Sequence, residues 1–278
     1  KPDWVWIKGR SVAENHNAYD FIRGAGERLM PNLSSSENTK TDTFMSFDSD
    51  GFTLDLGAEV NDNLQTFVAW NWLATGSTAS NSNGDITSTV SANTTAGFSI
   101  VSYTGTGANA TVGHGLGAAP SWIIIKGRSF NEHWQVYHKS LGATKFTELS
   151  ESSAASTNSN RFNDTDPTAS VFTIGTKDAV SKSSGTLIAY CFAEKQGYSK
   201  FGSYIGNGNA DGTFVYTGFK PAWVMIKRTD SSSDWNIMDN KRAVSFNPNT
   251  KELYSNSGQV EATGGQTIRD YLSNGFKL

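Results

Sequence analysis

One block occurs three times along this chain, and that recurrence narrows the folds open to it more than any other feature. Pro2-Asp3-Trp4-Val5-Trp6-Ile7-Lys8 returns as Pro120-Ser121-Trp122-Ile123-Ile124-Ile125-Lys126. It returns again as Pro221-Ala222-Trp223-Val224-Met225-Ile226-Lys227. Self-similarity at a domain-sized spacing means that one supersecondary unit has been copied along the chain. The first spacing is the longer one, and its excess is filled by the Thr/Ser/Asn-rich stretch Thr75 to Thr95, which reads as a polar linker or insertion.

Other segments keep step with this anchor. Phe98 to Gly105 corresponds to Lys200 to Gly206, and Trp134-Gln135-Val136-Tyr137-His138 to Trp235-Asn236-Ile237-Met238-Asp239. Ser49-Asp50-Gly51-Phe52 corresponds to Ser273-Asn274-Gly275-Phe276, and Phe67 to Trp72 to Leu187 to Phe192. The blocks are short, rich in β-branched and aromatic residues, and bounded by Gly, Asn, Asp or Ser, which is the punctuation of strands. Helix signals are sparse. Tyr19 to Arg23 is the best short candidate, and Gly24 and Gly26 would end it at once.

These correspondences predict an all-β fold of tandem, jelly-roll-like β-sandwich modules set serially on a common axis. About three copies are expected, both terminal ones incomplete. Repeat 1 spans 1–75 without its first strands, and the linker or insertion spans 76–96. Repeat 2 spans 97–196, and repeat 3 spans 197–278 without its last strand. An incomplete sandwich leaves strand edges unpaired, so a longer polypeptide or a neighbouring chain is expected to complete the open ends.

Composition removes several classes of function. The net charge is −3 and the basic residues are scattered, whereas nucleic acid demands a concentrated positive field. No stretch approaches the apolar length of a membrane helix. Cys191 is the single cysteine. It sits in the apolar run Leu187 to Phe192 and reads as a small buried hydrophobe.

Few residues invite a chemical role. Trp4, Trp122 and Trp223 share one repeat position, and Trp6, Ile124 and Met225 share another. A site where Trp exchanges for Ile or Met is a packing site. Trp134 and Trp235 are flanked by Glu132, His133, Gln135, Asp234 and Asn236. They are therefore the candidates for a surface platform that stacks on sugar. Lys8, Lys126 and Lys227 close the same strand in each copy and read as solvated strand ends, with a basic spot that faces the next module or an anionic glycan as the alternative.

Asp48-Ser49-Asp50 with Glu59 has the outline of a calcium loop, but Phe52 and Thr53 occupy the positions of a ligand and of the turn glycine. It is expected to be a turn before a strand. Asn163-Asp164-Thr165-Asp166 is expected to be a solvated loop. Glu148 and Glu151 lack the opposed placement a glycosidase needs. His16, His114, His133 and His138 lack a partner pattern, and no Gly-x-Ser-x-Gly elbow is present. No catalytic residue, metal or cofactor is assigned, and an enzyme is not expected.

Several longer phrases carry a resemblance. They are the Tyr-Asp-Phe-Ile-Arg run before Gly-Ala-Gly, Ser-Phe-Asp-Ser-Asp-Gly-Phe, Val-Tyr-His-Lys-Ser-Leu-Gly-Ala-Thr-Lys, Ala-Tyr-Cys-Phe-Ala-Glu, Gly-Tyr-Ser-Lys-Phe-Gly-Ser-Tyr and Tyr-Thr-Gly-Phe-Lys-Pro-Ala-Trp-Val-Met-Ile-Lys. Together they resemble an uncharacterised repeat domain of structural, tail-fibre-like proteins of marine bacteriophages and cyanophages. The resemblance implies a virion component on the outside of the particle: a tail-fibre or appendage segment that recognises host-surface glycan. Its partners would be other copies of itself, other virion proteins and host polysaccharide. The alternatives are a purely architectural virion protein, such as a capsid decoration or filament subunit, and a polysaccharide depolymerase.

Overall fold

The computed structural model describes residues 1–243, 247–263 and 269–278. Strand accounts for 39% of the structure and helix for 4%, so the chain is all-β. Helix is confined, among the described residues, to single turns: α1 (Ala58–Asn61), α2 (Ser159–Phe162) and α3 (Asp178–Ser181). Tyr19 to Arg23 is not helical. It is a strand end followed by a turn, in which the Asp20 carboxylate accepts the backbone N–H groups of Ile22 and Arg23 at 3.0 and 2.9 Å. This capping of the turn by an Asp side chain offers the backbone an alternative to helix.

The strands fall into three sets, each around one copy of the anchor. The first contains β1 (Trp4–Gly9), β2 (Asn17–Asp20), β3 (Glu27–Arg28), β4 (Asn38–Thr39), β5 (Phe44–Phe47), β6 (Phe52–Leu54) and β7 (Phe67–Trp72). After β8 (Ala79–Asn81) and β9 (Ser88–Asn93), the second contains β10 (Phe98–Thr104), β11 (Ala110–Gly113), β12 (Trp122–Gly127), β13 (Gln135–His138), β14 (Lys145–Glu148), β15 (Ser156–Thr157), β16 (Val171–Ile174) and β17 (Thr186–Phe192). The third contains β18 (Phe214–Tyr216), β19 (Trp223–Lys227), β20 (Trp235–Asp239), β21 (Lys251–Tyr254), β22 (Ala262–Thr263), β23 (Asp270–Leu272) and β24 (Gly275–Lys277).

The anchors pair in one register. Trp4 stands opposite Asp20, Trp122 opposite His138, and Trp223 opposite Asp239, all antiparallel. On the other edge, β1 pairs β7 with Trp4 opposite Trp72, and β12 pairs β17 with Trp122 opposite Phe192. The polar stretch before β10 is built into the structure. β9 pairs along β10 and β8 along β9, and buried Ile86 and Val90 join the second set's core.

Alternation along a strand sends neighbouring side chains to opposite faces. Val5 and Ile7 meet Phe44 and Val60, Ile123 and Ile125 meet Val112, Phe172 and Val180, and Val224 and Ile226 meet Tyr271 and Phe276. Each set thus has its own apolar cluster. The opposite residues, Trp4, Trp6, Trp122, Ile124, Trp223 and Met225, all enter a single further cluster shared by the three sets. There Trp4 stacks on Trp72 of its own set and on Tyr190 of the second, both with ring centroids 4.3 Å apart. The sets are therefore not strung serially along an axis, as the order of the repeats suggested. They close around a common aromatic core, because each anchor strand is apolar on both faces.

Candidate functional site

The seams between the sets carry the polar side chains that the strands place most consistently. The residue opposite the anchor lysine is His16 in the first set, Trp134 in the second and Trp235 in the third, and each hydrogen-bonds a backbone carbonyl of another set. The Trp134 indole donates to Met30 O at 3.0 Å, Trp235 donates to Glu148 O at 3.0 Å, and His16 Nε2 lies 2.9 Å from Tyr254 O. Met30, Glu148 and Tyr254 occupy one position: Glu148 and Tyr254 end the strands that pair β13 and β20, and Met30 follows Leu29, which bridges Ala18 of β2. His16 Nδ1 accepts the Trp6 indole N–H at 2.8 Å, which leaves Nε2 as the protonated nitrogen and fixes the tautomer. Burial, with the Lys8 charge second, pushes this imidazole down to about 3.

Trp134 is fully buried and Trp235 is 6% exposed. Neither offers a ring face to a sugar, so the stacking platform expected at Trp134 and Trp235 is corrected to a pair of seam residues. Their polar neighbours misled because polarity along a strand does not reveal that another sheet covers it.

The anchor lysines are also corrected. Lys8 and Lys126 are fully buried. Lys126 Nζ donates to Ser34 O of the first set and to Glu132 O, at 3.0 and 2.7 Å. Lys227 Nζ donates to Ser152 O of the second set, Arg228 O and Ser233 O, at 2.8 to 2.9 Å. Lys8 Nζ donates to Gly9 O. Burial lowers Lys8 and Lys126 to about 8, against the opposing influence of nearby glutamates. Each ammonium satisfies carbonyls that strand ends would otherwise leave unpaired.

Backbone hydrogen bonds close the circuit: Glu37 N to Arg128 O at 2.8 Å, Ala155 N to Thr229 O at 2.9 Å, and Glu261 N to Arg10 O at 2.8 Å. The first set reaches the second, the second the third, and the third the first.

Two seams add the same ionic chain. In one, Asp20 pairs with Arg23, Arg23 with Glu37 at 3.0 Å, and Glu37 with Arg128 at 2.8 Å. In the other, Asp239 pairs with Arg242 at 2.6 Å, Arg242 with Glu261 at 2.7 Å, and Glu261 with Arg10 at 2.9 Å. Each Asp also accepts from an aromatic of another set, Tyr190 Oη at 2.7 Å and Trp70 Nε1 at 3.0 Å. Burial works to raise the Glu37 and Asp239 carboxyls, but their arginines outweigh it and hold both low. The corresponding residues of the third seam are His138, Leu141, Ala155 and Thr229, which cannot form this chain.

The remaining sequence candidates are scattered. Asp48 accepts the Ser46 and Thr53 hydroxyls at 2.7 Å within the β5–β6 turn, the turn expected there. Asp166 holds Tyr137 Oη and Ala143 N at 3.1 and 3.0 Å. Glu148 accepts from Gln135, while Glu151 meets His133 at 3.2 Å. Cys191 is buried, which pushes its thiol pKa up. No group of three His, Cys, Asp or Glu suited to a metal occurs among the described residues, and no helix there is long and apolar enough to cross a membrane. Two open depressions of about 480 and 460 Å³ meet at Leu73. One is lined by Asp50, Asn71 and Trp72, the other by Asn93, Lys195 and Tyr198.

The seam chemistry was readable only in part. The recurrence of Asp-x-x-Arg at Asp20 to Arg23 and Asp239 to Arg242 was the available signal; the glutamates that complete the chain, Glu37 and Glu261, follow at different distances.

Neither the curated proteins nor the solved structures include a match to this chain. Along residues 1–278 it matches the family described as Domain of unknown function (DUF7483), and the chain belongs to that family.

Proposed function

We propose that this chain is an architectural protein of a bacteriophage virion, a building block of a fibre or appendage on the outside of the particle. In this reading it is a tandem array of β-sandwich repeats, over 1–75, 97–196 and 197–278, with 76–96 inserted. The three repeats close on one another as a small homotrimer would. The viral setting rests on the resemblance of the longer sequence phrases. The architectural role rests on one observation: the circuit Glu37–Arg128, Ala155–Thr229, Glu261–Arg10. With it, the polar side chains that recur from repeat to repeat are spent on holding repeats together. Other copies or other virion proteins are its partners.

Host-glycan recognition would then have to use residues other than Trp134 and Trp235, which are buried. The test is proteomic analysis of purified particles of the encoding virus, with antibody labelling of intact particles. Stoichiometric presence and surface labelling are expected. Absence from the particle, or release of reducing sugar from host polysaccharide by the purified chain, would overturn the reading.

A further inference from the structure

The three anchor strands differ in one respect that points to a binding site. β1 lies between β2 and β7, and β12 lies between β13 and β17, whereas β19 pairs, among the described residues, with β20 alone. Its exposure follows. Every residue of β1 and β12 is buried, but Trp223, Met225, Ile226 and Lys227 are only half-buried. The hydrogen bonds that fasten the flanking strand in the other sets show what is missing. Arg10 N donates to Thr66 O, and Arg128 N to Thr186 O. By the same register, the backbone N–H groups of Met225 and Lys227 point to the open edge.

We propose that the open edge of β19 is an acceptor for one extended, antiparallel peptide strand of the β7 and β17 type. The occupant's chemistry is written in those two strands. Opposite Trp4 and Trp122 stand Trp72 and Phe192, and opposite Trp6 and Ile124 stand Trp70 and Tyr190. The incoming strand therefore places an aromatic opposite Trp223 and, two residues earlier, an aromatic carrying a hydroxyl opposite Met225. That hydroxyl faces His138, as Trp70 faces Asp239 and Tyr190 faces Asp20. His138 Nδ1 already accepts the Ser140 N–H at 3.1 Å, so Nε2 carries the proton and the hydroxyl accepts from it.

The far wall of the slot is already in place. Phe201 lies 6.0 Å from Trp122, as Phe98 of β10 lies 5.9 Å from Trp4. In the second set β17 pairs with both β12 and β10. The segment that follows Phe201, by contrast, has no strand, and Ile205 is 89% exposed. Addition of a strand to an exposed edge gains affinity from main-chain hydrogen bonds and specificity from alternate side chains.

The test uses the chain with a fluorescent peptide copying Thr66 to Leu73 with the change Trp70→Tyr. A second peptide of the same sequence is N-methylated at the residues whose N–H groups would face β19. Saturable binding of the first peptide alone is expected, with amide exchange at Met225 and Lys227 slowed at least tenfold. Equal behaviour of the two peptides, or exchange at β19 unchanged by a bound peptide, would overturn the proposal. So would sedimentation showing that copies of the chain associate through this edge and exclude the peptide.

Discussion

Arg10 and Glu261 form a two-pronged ion pair, Nε to Oε1 at 3.1 Å and Nη2 to Oε2 at 2.9 Å. The strand that opens the chain is thereby tied to the last of its three sets. Bidentate geometry of this kind fixes orientation as well as contributing energy. Together with the backbone bond from Glu261 N to Arg10 O, it turns a linear series of copies into a closed one. Neither end of the series can leave without breaking contacts at two seams.

Unfolding should therefore be cooperative across all three sets. The shared core holds Trp4, Trp122 and Trp235 from different sets, so none keeps its packing once another has opened. Calorimetry and tryptophan fluorescence are expected to report one coincident transition, and alkylation of buried Cys191 is expected to follow the same curve. Separate transitions for the sets would show that the seams are weak.

Trp134→Ala is expected to lower stability by about 3–5 kcal/mol, the usual cost of emptying a large aromatic site. It also removes one of the two donors to the Met30 carbonyl, leaving the Leu33 N–H. Chemical denaturation gives the value. A loss within about 0.5 kcal/mol, as for an exposed surface residue, would contradict the seam assignment.

Breaking the ionic chain at its buried member should be costly. Arg23→Met leaves Asp20 buried without its partner, at about 3–5 kcal/mol. Transplanting the outer pair into the third seam, Ala155→Glu with Thr229→Arg, should by contrast couple by no more than about 1 kcal/mol, because Thr229 is exposed. A double-mutant cycle measures that coupling.

Stability should fall on mild acidification. His16 titrates at about 3 when folded, against 6.5 for an unperturbed imidazole. As pH falls below 6.5 the unfolded chain takes up this proton and the folded chain does not, so the native state loses ground until about pH 3. The expected loss from His16 is about 1 kcal/mol between pH 6.5 and 5.5. Glu37 and Asp239, held low when folded, add losses of the same sign at lower pH. Denaturation midpoints across pH 5 to 8 test this, and a profile that is flat in wild type would exclude it.

The strands and the inward positions were legible in the sequence because alternation and recurrence encode them directly. Trp4, Trp122 and Ile124 are where the pattern put them. What lay out of reach was the second surface that each anchor strand touches. Lys126 ends its strand in every way that suggests solvent, yet its ammonium is buried because Ser34, far back in the chain, brings a carbonyl to it. Trp134 looked exposed among polar neighbours for the same reason. A periodicity of two tells which side of a sheet a residue takes, but both sides of β1 and β12 are covered.

The absence of the Asp–Arg–Glu–Arg chain from one seam of three is a consequence of carrying the three sets on one polypeptide. In an assembly of identical subunits every contact is present as many times as there are subunits, so a substitution changes all of them together. Written into one polypeptide, each contact is a separate heritable trait. His138, Leu141, Ala155 and Thr229 make one junction unlike its two counterparts, a difference that identical subunits could not carry.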